Sequence, residues 1–376
     1  MIGTEKKQTA GSYPPEDRSV AAGKMETAEL LRVENLYTSF FTHVGEVKAL
    51  RGIDFSLKEG EAFGIVGESG SGKSVTSLSI LRLLPYPGRV TAGRVLFRGE
   101  DLLAKSEREM RSLRGDDLTM IFQDPMTSLN PVFTVGEQIV EVLRLHRKIS
   151  KKEAWERAVE GLRLVGIPSP EKRVRDYPHQ FSGGMRQRAM IAMSLACEPA
   201  LLIADEPTTA LDVTIQAQML DLMNDLRAKI RTAIILITHD LGVVSEVCSR
   251  ILVMYGGQVM EEAASEELFA TPLHPYTVGL LRALPGYSRR GNAEHRLVPI
   301  PGTPPDLLHP PRGCPFVERC PLALRVCRER PPHFSSPGPG RRVACWLHDA
   351  GAPASARERL FAAREGRSSP EKEAVR

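Results

Sequence analysis

Eight residues constrain this chain more than any others: Gly67, Glu68, Ser69, Gly70, Ser71, Gly72, Lys73 and Ser74 in succession. A short apolar run, Phe63 to Val66, precedes them, and an apolar-periodic segment from Val75 to Leu84 follows. The order is strand, glycine loop, helix. The spacing G-x4-G-K-[ST] in that setting is the phosphate-binding loop. Glycines let the backbone turn tightly, so that successive N–H groups face phosphate oxygens. The helix start adds free N–H groups and the positive end of its dipole. Gly67 to Val75 are therefore the candidate nucleotide-contacting stretch. Lys73 is expected to supply a point charge to the β- and γ-phosphates, and Ser74 a hydroxyl to Mg²⁺.

Other candidate groups stand just after apolar runs, where a parallel sheet opens its ligand crevice. Leu201 to Ala204 reads as a buried strand and delivers Asp205 and Glu206. Asp205 is placed to hold Mg²⁺, and Glu206 to act as general base on the attacking water. Ile234 to Ile237 is a second such strand, and His239 follows it as a candidate sensor of the γ-phosphate. Gln123, after a shorter run, is a candidate to coordinate Mg²⁺ or position the water. Phe181-Ser-Gly-Gly-Met-Arg-Gln-Arg188 opens a helix whose N-terminus suits an anion.

The chain has 376 residues, 42% of them hydrophobic, enough for one large domain with extensions or for two domains. Its 50 basic and 46 acidic residues nearly cancel, so nothing in the charge argues for nucleic acid. No apolar run approaches the ~20 residues that span a bilayer. The first residues carry no apolar signal region, so the expected place is the cytoplasm. Residues 1–28 read as a disordered leader. Alternating residues from Leu31 to Leu57 read as strands, with another at Arg94 to Arg98. A helical subdomain is expected over about 100–190, with capping boxes at Thr134/Glu137 and Ser150/Glu153. Ile251 to Met260 reads as a hairpin. Strands alternating with helices predict a largely parallel α/β sheet. After Leu284 proline becomes dense and periodicity fades, so 285–348 reads as a separate loop-rich extension, with a frayed or flexible tail over 349–376.

Taken together, GESGSGKS at 67–74, Gln123, FSGGMRQR at 181–188, LLIADEP at 201–207, Ala210-Leu211-Asp212 and His239 resemble an ATP-binding-cassette ATPase over about residues 30–285. The resemblance implies the α/β fold of a P-loop NTPase, a RecA-like core with antiparallel β and α-helical subdomains, here over 29–284. It implies that two such domains pair head to tail around two ATP molecules. Ser182, Gly183 and Gly184 would then complete the partner's ATP site, and Asp212 would communicate between the sites. Phe40 sits where the family places an aromatic that stacks on adenine, with Phe41 beside it as the competitor. Phe181 replaces the family's leucine.

A finer resemblance, to ATP-binding subunits of oligopeptide/dipeptide importers, rests on IFQDPMTSLNP at 121–131, on His274-Pro-Tyr-Thr277 and on the cysteines of the extension. It implies uptake of peptides, with nickel, another small solute or a non-transport ATPase as alternatives. It also implies two integral membrane permeases, a second ATPase subunit, identical or similar, and an extracytoplasmic solute-binding protein. The chain would sit peripherally on the cytoplasmic face of the inner membrane. Asp124 to Phe133 would line a groove for a permease helix.

Cys314, Cys320, Cys327 and Cys345 have the spacing C-x5-C-x6-C-x17-C. Four thiolates suit either zinc or an iron–sulfur cluster, and a disulfide is disfavoured in a reducing compartment. The importer resemblance implies a 4Fe–4S cluster, with Zn²⁺ as the alternative. Cys197 and Cys248 lie among apolar residues and read as core.

Overall fold

The computed structural model describes residues 28–122, 129–207, 213–284 and 299–364. The leader through residue 27, Gln123 with Asp124 to Ser128, Ala210-Leu211-Asp212 and the end of the tail from 365 lie outside the described residues. In chain order, β1 (Glu29–Thr42) and β2 (Gly45–Lys58) form a hairpin, β3 (Ala62–Val66) leads into α1 (Lys73–Ile80), and β4 (Gly88–Phe97) and β5 (Glu100–Asp101) follow. Then come α2 (Glu107–Leu113), β6 (Leu118–Ile121), α3 (Val135–His146), α4 (Lys151–Leu164), α5 (Pro170–Arg173) and α6 (Gly183–Leu195). Next are β7 (Leu201–Asp205), α7 (Val213–Ile230), β8 (Ala233–Thr238), α8 (Leu241–Val247), β9 (Arg250–Tyr255), β10 (Gln258–Ala264), α9 (Ser265–Ala270) and α10 (Pro275–Arg282). The C-terminal part contributes α11 (Val326–Glu329), β11 (Phe334–Gly338), β12 (Arg341–Ala344) and α12 (Ala354–Arg364).

Two sheets carry the fold. An antiparallel sheet runs β2-β1-β4-β5, and a larger one runs β11-β12-β10-β9-β3-β8-β7-β6. The centre of the larger sheet is parallel, from β9 through β3, β8 and β7 to β6. Every residue of β3, β7 and β8 is buried. That explains their unbroken apolar sequences: a parallel strand covered on both faces has no solvent side to mark. β1 and β2 instead alternate, because one core packs Leu31, Val33, Leu36, Ile53, Phe55 and Leu57 against Phe63, Ile65, Ile203 and Ile235 of the larger sheet. Phe55 and Phe63 stack at 5.3 Å between ring centroids where the sheets meet.

A second core, of the helices, joins Val135, Ile139, Leu143, Ala154, Ala158, Leu162, Ala189 and Met190. Thr134 caps α3 in a reciprocal capping box with Glu137. Ser150 caps α4 from one side only, accepting from the Glu153 N–H. A reciprocal box that the sequence reading passed over, Ser106 with Glu109, opens α2. The stretch read as helical from about 100 also contains β6, at the edge of the large sheet. A strand of four residues, Leu118 to Ile121, is too short for period 2 to stand out from helical spacing.

The region read as a separate, loop-rich extension also supplies two strands of the larger sheet. β12 pairs with β10 through Glu261–Val343 and Glu262–Arg342, and β11 pairs with β12. The extension therefore continues the central sheet. An open β10 edge would leave ladder groups unpaired, and β12 supplies their partners. Arg342 bonds the Glu262 carboxylate at 2.6 Å and seals the seam. Cys314, Phe316, Val317 and Cys327 share one core with Val244, Leu268 and Tyr276. Residues 354–364 are a helix docked by Leu360, 2% exposed, beside Leu273, Val278 and Leu347, not a frayed end.

Candidate functional site

The crevice forms where β3, β7 and β8 end side by side. Gly67, Gly70 and Gly72 of the loop after β3 have φ of 156°, 77° and 103°. At Gly72 any side chain would also be blocked, since a Cβ would lie 2.8 Å from Leu50 Cδ2 and 3.0 Å from the Ala49 carbonyl. Backbone freedom and close approach thus both require glycine there. The loop closes with the Ser71 N–H donating to the Glu68 carbonyl at 3.2 Å, and the Gly257 N–H donating to the Ser71 carbonyl at 3.1 Å.

Lys73 begins α1 and is 5% exposed. Its Nζ donates to the carbonyls of Gly67, at 2.7 Å, and Glu68, at 3.0 Å, so the ammonium is held over the loop. Burial lowers its pKa, while Glu206, Asp205 and Glu68 act in the opposite sense. Ser74 Oγ donates to Asp205 Oδ1 at 3.1 Å, across 131 residues of sequence. Burial raises the Asp205 pKa, against the Ser74 hydrogen bond, with the Glu206 charge adding to the rise and Lys73 opposing it. A hydroxyl and a carboxylate side by side are the hard oxygen donors that suit Mg²⁺.

Glu206 adopts φ +47°, the left-handed region, and its N–H donates to the Ile237 carbonyl at 2.8 Å. A non-glycine residue held there costs on the order of 1–3 kcal/mol, and such outliers cluster at functional sites. The twist carries the Glu206 carboxylate to 3.3 Å from His239 Nδ1. Asp240 caps α8 behind it, accepting from Gly242 and Val243. Among the expected residues, Lys73, Ser74, Asp205, Glu206 and His239 therefore come together; Gln123 and Asp212 lie outside the described residues.

Ser182 and the two glycines after it open α6. Ser182 accepts from the Met185 N–H at 3.3 Å and caps α6. Ser182 and Gly183 are exposed, and a Cβ on Gly183 would meet nothing within 4 Å. Phe181 is 2% exposed in the helical core, a packing residue. Phe40, half-buried in β1, lies against Gly88, whose Cβ would come within 2.6 Å of Phe40 Cε1. Phe41, next along the strand, has its ring face covered by the Arg89 guanidinium at 4.0 Å.

Cys314, Cys320, Cys327 and Cys345 line one enclosed cavity of about 10 Å³, with His274, Leu322 and Trp346 around them. That is room for about one water molecule. Among the described residues, no group of three or more His, Cys, Asp or Glu side chains stands in metal-holding geometry. The four thiols converge on one small cavity, but as they stand they do not form a metal-holding group. Burial pushes the thiol pKa of Cys314 and Cys320 up to about 12, with neighbouring cysteines adding to the effect. Cys197 and Cys248 are core residues, 2% and 4% exposed.

Sequence reasoning did not find the groups that hold the loop from behind. Tyr276 OH accepts the Glu68 N–H at 2.9 Å, and Arg319 grips the Glu68 carboxylate. These pairs lie 208 and 251 residues apart, and no local pattern announces such a contact.

A phosphate loop, an acidic strand end and a histidine at the mouth of one parallel sheet define a nucleotide hydrolase of the cassette type. Residues 50–209 match the model of the ABC transporter family, and residues 260–327 match the oligopeptide/dipeptide transporter C-terminal region. The chain is 56% identical to a probable peptide ABC transporter ATP-binding protein of Sinorhizobium fredii, over 84% of this chain and 94% of that one. It is 55% identical to the dipeptide transport ATP-binding protein DppD of Bacillus subtilis (85% and 95%) and 52% to the oligopeptide transport ATP-binding protein OppD of Salmonella typhimurium (84% and 93%). Among solved structures it resembles the dimeric cassette MJ0796, with TM-score 0.57 and 28% identity over 63% of this chain and 99% of that one. The same cassette bound to ADP and Pi, in a post-hydrolysis state, matches with the same TM-score, identity and coverage. This chain belongs to the oligopeptide/dipeptide family of ABC transporter ATP-binding proteins.

Proposed function

We propose that the chain is the ATP-hydrolysing subunit of an importer of di- and oligopeptides. The observation that carries the chemistry is the meeting of Ser74 with Asp205 and of Glu206 with His239 at the mouth of one sheet. The relatives named for peptide transport, 50–56% identical over nearly their whole length, supply the substrate class. In this reading residues 29–284 form the ATPase unit and 285–348 its extension.

The loop from Gly67 to Val75 wraps the triphosphate with N–H groups, and Lys73 turns from the loop carbonyls to the β- and γ-phosphates. Ser74, Asp205 and Gln123 hold Mg²⁺, which offsets phosphate charge when bound. Glu206 takes a proton from the attacking water, and His239 orients that carboxylate beside the γ-phosphate. Phe40 stacks on the adenine. Ser182, Gly183 and Gly184 close on the triphosphate of a second ATPase subunit, so ATP holds the pair shut and hydrolysis releases it. Asp212 links the two sites.

Closure acts on two membrane permeases that receive peptide from an extracytoplasmic binding protein. Among the described residues no helix is long and apolar enough to cross a membrane, which suits a peripheral subunit on the cytoplasmic face. The four cysteines of the extension are our candidate ligands for a 4Fe–4S cluster, or failing that Zn²⁺. Anaerobic purification tests this: iron with visible charge-transfer absorption supports a cluster, zinc alone supports the alternative, and neither removes both. For the main reading, the ATPase is reconstituted with candidate permeases and a solute-binding protein from the same organism. ATP turnover should rise with peptide; stimulation by nickel or another solute but not peptide would overturn the substrate class.

A further inference from the structure

The phosphate loop contains one acidic residue, Glu68, in a place built to receive a polyanion. A carboxylate there opposes nucleotide binding unless its charge is met. Arg319, from the C-terminal extension, meets it. Its Nη1 and Nη2 donate to the two Glu68 oxygens at 2.5 and 3.0 Å, a bidentate pair. The same guanidinium donates to Tyr255 OH at 3.0 Å and to the carbonyls of Pro301 and Ile300 at 2.8 and 3.2 Å. Arg319 is 8% exposed, whereas the Glu68 side chain keeps 27% of its surface open to solvent. Burial works against the guanidinium charge, but hydrogen bonds to Glu68 and Tyr255 outweigh it and hold the pKa above its ordinary value.

Glu68 is anchored at a second point. Its N–H donates to Tyr276 OH at 2.9 Å, and its carbonyl accepts from Lys73 Nζ. Tyr276, Tyr255 and Phe316 pack as a buried aromatic cluster, with ring centroids 4.6 to 5.2 Å apart. Phe316 and Arg319 share one turn, in which the Arg319 N–H donates to the Phe316 carbonyl at 3.0 Å. The side chain, N–H and carbonyl of one loop residue are thus all committed, two of them to residues that lie between β10 and β11 in the chain.

The structure assigns to Arg319 a positioning role: it cancels the Glu68 charge and braces the phosphate loop, so that the extension sets affinity for the nucleotide. Arg319 acts through Glu68 and touches no nucleotide itself. The inference rests on the nucleotide site described above. By linkage, a loop that needs this brace to bind nucleotide must also tighten the brace when nucleotide binds.

The full chain is compared with Arg319→Ala, Arg319→Lys, Glu68→Gln and the Arg319→Ala/Glu68→Gln double variant, measuring Mg-ATP affinity and steady-state hydrolysis. Arg319→Ala should raise Kd and KM about tenfold, with kcat held within about threefold, because uniform binding is lost rather than chemistry. Arg319→Lys should lie between it and the unaltered chain, keeping charge without the fork. The double variant should bind about as well as Glu68→Gln alone, since the uncompensated carboxylate is gone. Amide exchange across 316–320 should slow when ATP is added. Additive losses in the double variant, or an unchanged Kd in Arg319→Ala, would overturn the role. Should Arg319→Ala not fold, Arg319→Lys with and without Glu68→Gln supplies the same cycle. If the unaltered chain binds no ATP, the nucleotide reading fails instead.

Discussion

The two glycine-rich helix starts of this molecule, α1 and α6, are built in opposite ways. At α1 the loop is enclosed: Lys73 is buried, Ser74 bonds Asp205, and Glu68 is clamped from the extension. At α6 the corresponding Ser182 only caps its own helix, and Gly183 faces open space. Both ends offer free N–H groups and a positive dipole end. One is tied to groups from distant parts of the chain, whereas among the described residues a Cβ on Gly183 at the other would meet nothing within 4 Å. Under the proposed pairing of cassettes around ATP, the contrast corresponds to one half-site assembled within the chain and one half-site offered to a partner.

That contrast can be broken from either side. The largest effect is expected at Glu206. Removing its charge in Glu206→Gln should cut turnover by about 100-fold or more, the range for a lost general base. ATP binding and ATP-driven pairing should persist. Single-turnover hydrolysis with size-exclusion chromatography checks this, and unchanged ATPase activity rejects Glu206 as the base. Next is Gly183→Leu. Its side chain enters open space, so thermal stability should change by no more than about 0.5 kcal/mol. Pairing and turnover should nevertheless fall about tenfold, a split that only an unfilled intermolecular face produces. A variant that melts early would show instead that Gly183 serves its own fold. The smallest effect is expected for Phe40→Ala, about a threefold rise in KM from the lost stacking. Phe41→Ala, whose ring already carries Arg89, should leave KM unchanged. Reversal of the two would move the adenine contact to Phe41.

Legibility followed the range of the interaction. The loop at 67–74 could be read because its chemistry is local: glycines with positive φ, then a helix start. Asp205, Glu206 and His239 could be read because these buried parallel strands are apolar up to their last residue, so the polar residues that close or follow them mark the crevice. The left-handed Glu206 could not, since nothing adjacent forecasts a strained glutamate. Nor could the joining of β12 to β10, where Val343 and Arg342 pair with Glu261 and Glu262 across some 80 residues. Dense proline disguised that region as irregular, and four-residue strands show too little alternation to correct the impression. Leu360 likewise needed its partners, Leu273 and Leu347, before the tail helix had anywhere to pack.

By itself the amino-acid order determined the phosphate loop, the buried strands and the acidic and histidine groups at their ends. Those depend on backbone sterics and on which side chains leave water, and both act within a few residues. Only the tertiary structure decided that the extension continues the central sheet, that four distant cysteines face one cavity, and that Arg319 reaches Glu68. Such contacts close loops of more than two hundred residues in the Arg319 case. Their loop-closure entropy is offset by the whole core at once and by no local segment, so no stretch of sequence carries their signature.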